Sequence, residues 1–475
     1  MPDISPYYVL SFIIMAAYWI TIISVIVVVI TENRNPVRSL AWVTVLLFLP
    51  VVGLIIYIFF GRSIKNEAML AKMKKRKLLQ PELVKQVDFS KLPLSDCSLQ
   101  QIRLAHSLMG AVYYPGNDID IYIDGEALFK QLKDDLRSAK SSINLQFYIF
   151  EDDELGHEIS EILCKRARAG VAVRVIYDHV GSFRVSKKFY RQMSEAGVEI
   201  HPFFKVTFPE FAARVNWRNH RKVTVIDGRV GYIGGMNIAN RYLGKNAVWR
   251  DTHIRICGQS VYGLLHSFAI DWCFMGLPTF EEDYHRYKPA LSDMAGIQIV
   301  GSSPVGQWHN IALLFQKAIG NAKKLIYIQT PYFLPTSGLL IALQTAALSK
   351  VDVRIMIPRN PDSTTLRLAS ASYLSECMRS GIKIYYYEPG MLHSKVVIVD
   401  DEFATTGSTN FDFRSFEYNF ECNAFIYSRE FNKKMREIFI RDMKKCTRVN
   451  PTNWRHRPFF EKLKESLVRL LSPVL

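Results

Sequence analysis

Asn219-His220-Arg221-Lys222-Val223-Thr224-Val225-Ile226-Asp227 and Leu392-His393-Ser394-Lys395-Val396-Val397-Ile398-Val399-Asp400 are two copies of one phrase. Each reads H-x-K, four residues, then D. Past each Asp, six residues lead to a small-residue turn that ends in Asn: Gly234-Gly235-Met236-Asn237 and Gly407-Ser408-Thr409-Asn410. One match would be chance. Two matches with the same trailing turn indicate a duplicated unit.

Residues i and i+2 of a strand share a face, so His220 and Lys222 point together, as do His393 and Lys395. The residues that follow are mostly apolar β-formers, so each motif predicts a buried strand. A buried ammonium without a partner is costly, and the pair therefore calls for an anion. A tetrahedral phosphate satisfies both lysines, and the Gly/Ser turns let backbone N–H groups approach its oxygens. A neutral imidazole attacks phosphorus, while a second, protonated one gives its proton to the departing oxygen. One motif per half supplies both, with a phosphohistidine between two displacement steps. Each ring needs an orienting acceptor, and Asp251 and Glu421 lie at similar distances past their motifs. Asp227 and Asp400 have the opposite strand parity from their histidines and read as structural groups that fix turns. There is no His-Glu-x-x-His, EF-hand loop or Walker loop, and the chemistry calls for no metal or other cofactor.

Around the motifs the pattern is α/β. Helices are expected over 128–139, 155–169 and 187–196, with strands over 142–150 and 171–177. The same order returns later: Ala139-Lys140 with Ala322-Lys323, Gln146 with Gln329, Val173-Arg174-Val175 with Val353-Arg354-Ile355, Gly197-Val198 with Gly381-Ile382. The separation is near 180 residues and falls to 173 at the motifs, because the first half carries an extra aromatic loop, 202–218. That loop plugs the domain interface or faces lipid tails.

The front of the chain is different. Residues 4–31 and 39–60 are uncharged runs, and about 20 apolar residues suffice to cross a bilayer as a helix. Pro50 is expected to kink the second run, and Gly53 to allow close packing. Basic residues follow it (Arg62, Lys65, Lys72, Lys74, Lys75, Arg76, Lys77), which predicts a hairpin with both ends and the large domain cytoplasmic. A shallow re-entrant hairpin is the alternative. The divisions expected are transmembrane helices in 1–62, a basic juxtamembrane linker over 63–117, repeats over 118–290 and 291–450, and an amphipathic end over 451–475. Within the last, 459–471 reads as a packed terminal helix or a membrane-surface helix. The 475 residues carry a net charge of +16, so an anionic partner is expected, with an anionic membrane surface favoured by the spans. The seven cysteines form no C-x-x-C pair and read as reduced thiols.

The doubled motif with its G-[GS]-x-N turns resembles the phospholipase D superfamily. The front runs, with Asn33-Arg34-Asn35-Pro36 and Phe60-Gly61-Arg62, and the wording of 218–222 and 407–415 are similar to its bacterial cardiolipin synthases. The resemblance implies two duplicated α/β domains packed with pseudo-twofold symmetry. It implies that one phosphatidylglycerol gives its phosphatidyl group to a histidine and releases glycerol, and a second attacks to form cardiolipin. His220 and His393 would share nucleophile and acid/base duty, with Lys222, Lys395, Asp227 and Asp400 completing the catalytic motifs. Asn237, Asn410 and Ser408 would join the lysines around the phosphate. Phosphatidylglycerol and cardiolipin are the expected ligands and nucleic acid is not, since no base-stacking module is evident. Competing readings are a phosphodiesterase that uses water, a transferase that uses another alcohol, and a non-catalytic lipid scaffold.

Overall fold

Val223–Ile226 and Val396–Val399 are buried throughout and sit at equivalent places in one large sheet. The computed structural model describes residues 6–31, 36–57, 94–205, 217–244, 249–280, 295–470 and 472. The strands of the first half are β1 (Tyr113–Tyr122), β2 (Ser142–Phe147), β3 (Ala172–Asp178), β4 (Glu199–Phe203), β5 (Arg218–Asn219), β6 (Val223–Ile226), β7 (Val230–Gly234), β8 (Trp249–Arg250) and β9 (His253–Gly258). In the second half they are β10 (Ala295–Ser302), β11 (Leu325–Gln329), β12 (Phe333–Leu334), β13 (Asp352–Pro358), β14 (Lys383–Tyr387), β15 (Met391–Leu392), β16 (Val396–Val399), β17 (Phe403–Gly407), β18 (Phe411–Asp412), β19 (Asn419–Tyr427) and β20 (Cys446–Arg448).

The first half runs β4-β3-β2-β6-β7-β9-β1 and the second β14-β13-β11-β16-β17-β19-β10, the same order twice. β2–β3 and β11–β13 are parallel; β2–β6 and β11–β16 are antiparallel. The halves join where β1 pairs antiparallel with β10, so one sheet crosses the whole repeat. One core cluster is shared by both halves: Val223, Val225 and Ile254 pack in it with Val396, Ile398 and Ala424.

The helices sit close to their expected positions. Gly125–Ser138 starts on Asp124, whose side chain accepts from the Ala127 N–H, and buries Leu128, Phe129, Leu132 and Leu136 on one face. Glu154–Arg168 and Lys187–Glu195 start the same way on Asp153 and Ser186.

Two readings change. Asp96–Met109, expected within the linker, is a helix of the second half's core: Ile102 and Ala105 are fully buried there, and Gln101 donates to the Leu314 carbonyl at 2.8 Å. The apolar–polar spacing of this helix was legible, but the basic run before it hid the boundary. The linker proper, 58–93, lies outside the described residues, as do most of the aromatic loop (206–216) and the motifs at 33–35 and 60–62.

The N-terminal unit is described by itself. Tyr7–Thr31 is one helix of 25 residues with mean hydropathy 2.8, long and apolar enough to cross a membrane. The second run is not one helix. It is Pro36–Phe48 followed by Pro50–Ile56, broken at Leu49. Proline has no N–H to donate, so one helical hydrogen bond is lost there, and the expected kink is carried to a break. The two pieces pack closely at Gly53, where a Cβ would stand 2.7 Å from the Val45 carbonyl oxygen. Ile22, Val29, Leu46 and Tyr57 are buried between the helices of this unit.

Candidate active site

The motif histidines are held by the opposite half. β5 lies against the start of β19, with Asn219 beside Phe420, and the His220 N–H donates to the Phe420 carbonyl at 2.9 Å. This sets His220 next to Glu421. Its Nδ1 is 3.0 Å and 3.2 Å from the two Glu421 oxygens. The mirror arrangement holds His393. β15 pairs with β8, the His393 N–H donates to the Arg250 carbonyl at 2.7 Å, and Nδ1 is 2.6 Å from Asp251 Oδ2. Asp251 and Glu421 are thus the acceptors expected, but each serves the histidine of the other repeat. Spacing along the chain carried no sign of the crossing.

A carboxylate only accepts, so each Nδ1 carries the proton and each Nε2 keeps its lone pair. Both imidazoles are buried, and burial is the main reason their pKa falls to about 4. At neutral pH both rings are neutral. The paired carboxylates stay ionised: burial raises their pKa, but the lysines and histidines around them outweigh it and hold them below the usual range.

Lys222 Nζ donates to the His220 carbonyl at 2.6 Å, and Lys395 Nζ donates to the His393 carbonyl. Lys395 Nζ is also 2.8 Å from His393 Nδ1. That nitrogen already gives its proton to Asp251, so here the ammonium lends charge rather than a hydrogen bond. Burial depresses both lysines, Lys395 to about 8 and Lys222 well below its ordinary value. The charge of Lys395 acts on His220, and that of Lys222 on His393. The two motifs therefore form one electrostatic unit.

Ser408 takes a different place from the one expected. Its hydroxyl donates to Glu421 and accepts from the Cys422 N–H at 3.0 Å, leaving no free donor for a phosphate. The turn N–H groups are likewise used within the protein: Gly235 donates to Thr252 O and Ser408 to Cys422 O, both at 3.0 Å. The Gly235/Ser408 difference then has a steric cause. A Cβ on Gly235 would stand 2.2 Å from Asp251 Oδ1. The shorter Asp needs glycine beside it, whereas the longer Glu421 is reached by a serine.

Asn237 Oδ1 accepts from the Ile149 N–H, and its Nδ2 donates to the Tyr242 hydroxyl, both at 3.2 Å. The Tyr242 hydroxyl is in turn 3.4 Å from His393 Nδ1. Asn410 is buried, and its Oδ1 has no hydrogen-bond partner among the described residues.

Asp227 and Asp400, grouped by the motif with the catalytic residues, are not at the site. Each lies at the far end of its strand, with backbone φ of 52° and 51°. Asp227 accepts from the N–H groups of Lys140, Ser141 and Ser142, which starts β2. Asp400 accepts from Lys323, Lys324 and Leu325, which starts β11. The H-x-K residues precede β6 and β16 rather than lying on them, and each Asp follows its strand in a left-handed turn, so the two ends of the motif are set apart by the length of the strand and not by alternation along it.

Other residues were missed. Tyr148 packs edge-on against His220 with ring centres 5.0 Å apart, and burial lifts its hydroxyl pKa to about 12. Gln146 and Gln329, seen only as repeat partners, donate to Asp271 at 2.6 Å and Asp442 at 2.9 Å. Those aspartates hold Arg221 at 2.5 Å and Arg250 at 2.8 Å, the arginines next to the crossing points. Arg250 Nη1 reaches Ser394 Oγ at 2.8 Å, inside the second motif. The signal was the recurrence of a buried Gln, which needs a fixed partner.

The family described as "Cardiolipin synthase, PLD-like domain" matches residues 132–253 and 315–443. A "Phospholipase_D-nuclease N-terminal" family matches residues 19–62. A cardiolipin synthase of Listeria monocytogenes serotype 4a is 40% identical over 466 residues, spanning 94% of this chain and 96% of that protein. The chain belongs to the cardiolipin synthase family of phospholipase D-like proteins. Cardiolipin synthase 2 of Bacillus cereus is 39% identical over 94% of this chain and 89% of its own length. The crystal structure of phosphatidylserine synthase from Haemophilus influenzae aligns with TM-score 0.61 at 15% identity, over 79% of this chain and 100% of that one. It shares the fold.

Proposed function

We propose that this chain is a membrane-bound phosphatidyltransferase that makes cardiolipin and glycerol from two molecules of phosphatidylglycerol. The observation that carries the mechanism is the crossed pairing of His220 with Glu421 and His393 with Asp251. One imidazole attacks phosphorus through its unprotonated Nε2, the phosphorus–glycerol oxygen bond breaks, and a phosphatidyl-histidine forms. The other ring, protonated, gives its proton to the departing glycerol oxygen. A second phosphatidylglycerol then loses its hydroxyl proton to that same ring and attacks phosphorus, releasing the histidine and completing cardiolipin.

A phosphodiester anion beside the second ring supplies the charge that holds its proton. Burial alone keeps the ring neutral, so protonation waits for substrate. Lys222 and Lys395 would balance the phosphoryl oxygens. Asn410, whose Oδ1 lacks a partner among the described residues, would accept from a hydroxyl of the glycerol headgroup. Asn237 and Ser408 position Tyr242 and Glu421. Asp227 and Asp400 keep the motif strands in register with their neighbours.

The N-terminal helix would anchor the enzyme in the cell membrane, with the broken second run returning the chain. The basic residues beyond it favour a catalytic body on the cytoplasmic side. Purified enzyme given phosphatidylglycerol alone in detergent is expected to yield cardiolipin and glycerol, and His220→Ala and His393→Ala are expected to yield neither. Phosphatidic acid as the main product would make the acceptor water instead.

A further inference from the structure

The C-terminal helix Phe459–Arg469 is docked with its polar side inward. Glu465 is buried, held by the fork of Arg457 at 2.5 Å and 2.9 Å. Arg457 itself lies over the Trp454 ring at 3.3 Å. Arg469 pairs with Glu376 at 2.5 Å and covers Tyr373, on the helix Thr364–Arg379. Half-buried Val468 is the apolar contact of this face. The remaining apolar residues face outward: Phe459, Phe460, Leu463, Leu467 and Leu470 are 69, 73, 40, 56 and 76% exposed.

At 3.6 residues per turn these five side chains fall within a single stripe about 100° wide. An ordinary surface helix buries such a stripe and exposes its charges. Here the ion pairs fix the helix to the body, and the apolar face is left free. Ordinary side-chain areas give that face on the order of 500 Å², the size of the largest apolar patch on an ordinary monomer, which is often functional, and below the ~800 Å² per partner of a stable protein interface.

The charges around the stripe select its occupant. Lys464 borders Phe460 and has no acidic partner among the described residues. On the other flank the Lys462 ammonium donates to the Arg455 carbonyl at 2.7 Å, and Arg455 is exposed. Of the two carboxylates on the helix, Glu465 is buried and Glu461 points away from the stripe. An apolar strip edged by cations fits the interface of an anionic bilayer.

We propose that this helix is a second membrane contact, which lays its Phe/Leu stripe into the headgroup region of an anionic phospholipid surface. The geometry differs from an amphipathic peptide that folds on contact, because the helix is already formed and clamped by Arg457–Glu465 and Arg469–Glu376. The contact stands independently of which histidine acts and of the acceptor used.

The test is photocrosslinking in the full-length protein. Leu467→p-benzoylphenylalanine is compared with Glu461→p-benzoylphenylalanine on the far side of the helix. Both proteins are reconstituted in vesicles of equal parts phosphatidylglycerol and phosphatidylcholine, then in phosphatidylcholine alone. Activity in detergent checks that each variant is folded. Lipid adducts at position 467 are expected to exceed those at 461 by at least five-fold, and to fall several-fold without the anionic lipid. Equal adducts at the two positions, adducts indifferent to lipid charge, or a crosslinked protein dimer at 467 would each overturn the proposal. The dimer would assign the stripe to a second copy of the chain.

Discussion

Glu421→Gln replaces one oxygen by an NH₂ at the atom that faces His220 Nδ1. The neutral amide no longer offsets the charge of a protonated ring, and where its NH₂ faces Nδ1 the ring turns its proton to Nε2, the atom with which it would attack or accept. The Glu421→Gln protein should fold and bind lipid, yet lose about 10²–10⁴-fold in kcat, the range seen when a catalytic histidine is left in the wrong tautomer. Asp251→Asn should do the same through His393. Ser408→Ala removes only a donor to Glu421, and a loss of about ten-fold is expected. Steady-state assays of the three purified variants check this ranking; wild-type kcat in Glu421→Gln would remove the crossed pairing from the mechanism. A pH effect follows at the same scale. Burial holds Lys395 at about 8. A lysine depressed in this way is charged below its folded pKa and loses the charge as pH rises through it. Competitive inhibition by inorganic phosphate should therefore weaken above pH about 8, by up to ten-fold per unit. Lys395→Arg should flatten that profile wherever the variant still binds phosphate, since arginine keeps its charge.

At the scale of elements, the motif strands are tied down at both ends by different means. The His end is pinned across the interface by the β5–β19 and β15–β8 pairs, the Asp end by three backbone N–H groups of the neighbouring strand. Hydrogen bonds to a charged group contribute about 1.5–3 kcal/mol each at most, and an amide in place of the carboxylate keeps part of this. Asp227→Asn should thus cost about 1–3 kcal/mol, read as a lower Tm, with kcat per folded molecule within about two-fold of wild type. A kcat loss like that of His220→Ala would return Asp227 to the reaction. Strand parity pointed to this division, but the structure makes it differently: His220 precedes β6 and Asp227 follows it in a left-handed turn. The α/β order, the duplication and both histidine–lysine pairs were equally legible, because period and spacing are local properties of sequence. The crossing was not. It depends on β19 and β8 reaching over to the other repeat, and nothing in the spacing of Asp251 or Glu421 distinguishes their own histidine from its twin. Tyr148 and Asp271 were hidden for the same reason, since only tertiary packing brings them to His220 and Arg221. At Leu49–Pro50 the sequence predicted a kink, and the freed backbone turned it into a break.

For the whole molecule, the duplication does not give two sites. The sheet is continuous through β1 and β10, the core cluster around Val223 and Ile398 belongs to both halves, and each histidine takes its acid from the other repeat. Neither repeat has a complete pair of its own. A site in which each copy supplies half of each dyad also accounts for one matched difference between the copies: Gly235 goes with the shorter Asp251, Ser408 with the longer Glu421. It follows that His220→Ala and His393→Ala chains cannot rescue one another while each chain closes its own site. Equal mixtures of the two inactive proteins, purified separately and reconstituted together in phosphatidylglycerol vesicles, should show no cardiolipin formation above either variant alone. Co-expression should give the same result. Recovery toward a quarter to a half of wild-type activity would mean that repeats exchange between chains, and that the unit of catalysis is a swapped dimer in which β5 of one protein meets β19 of the next.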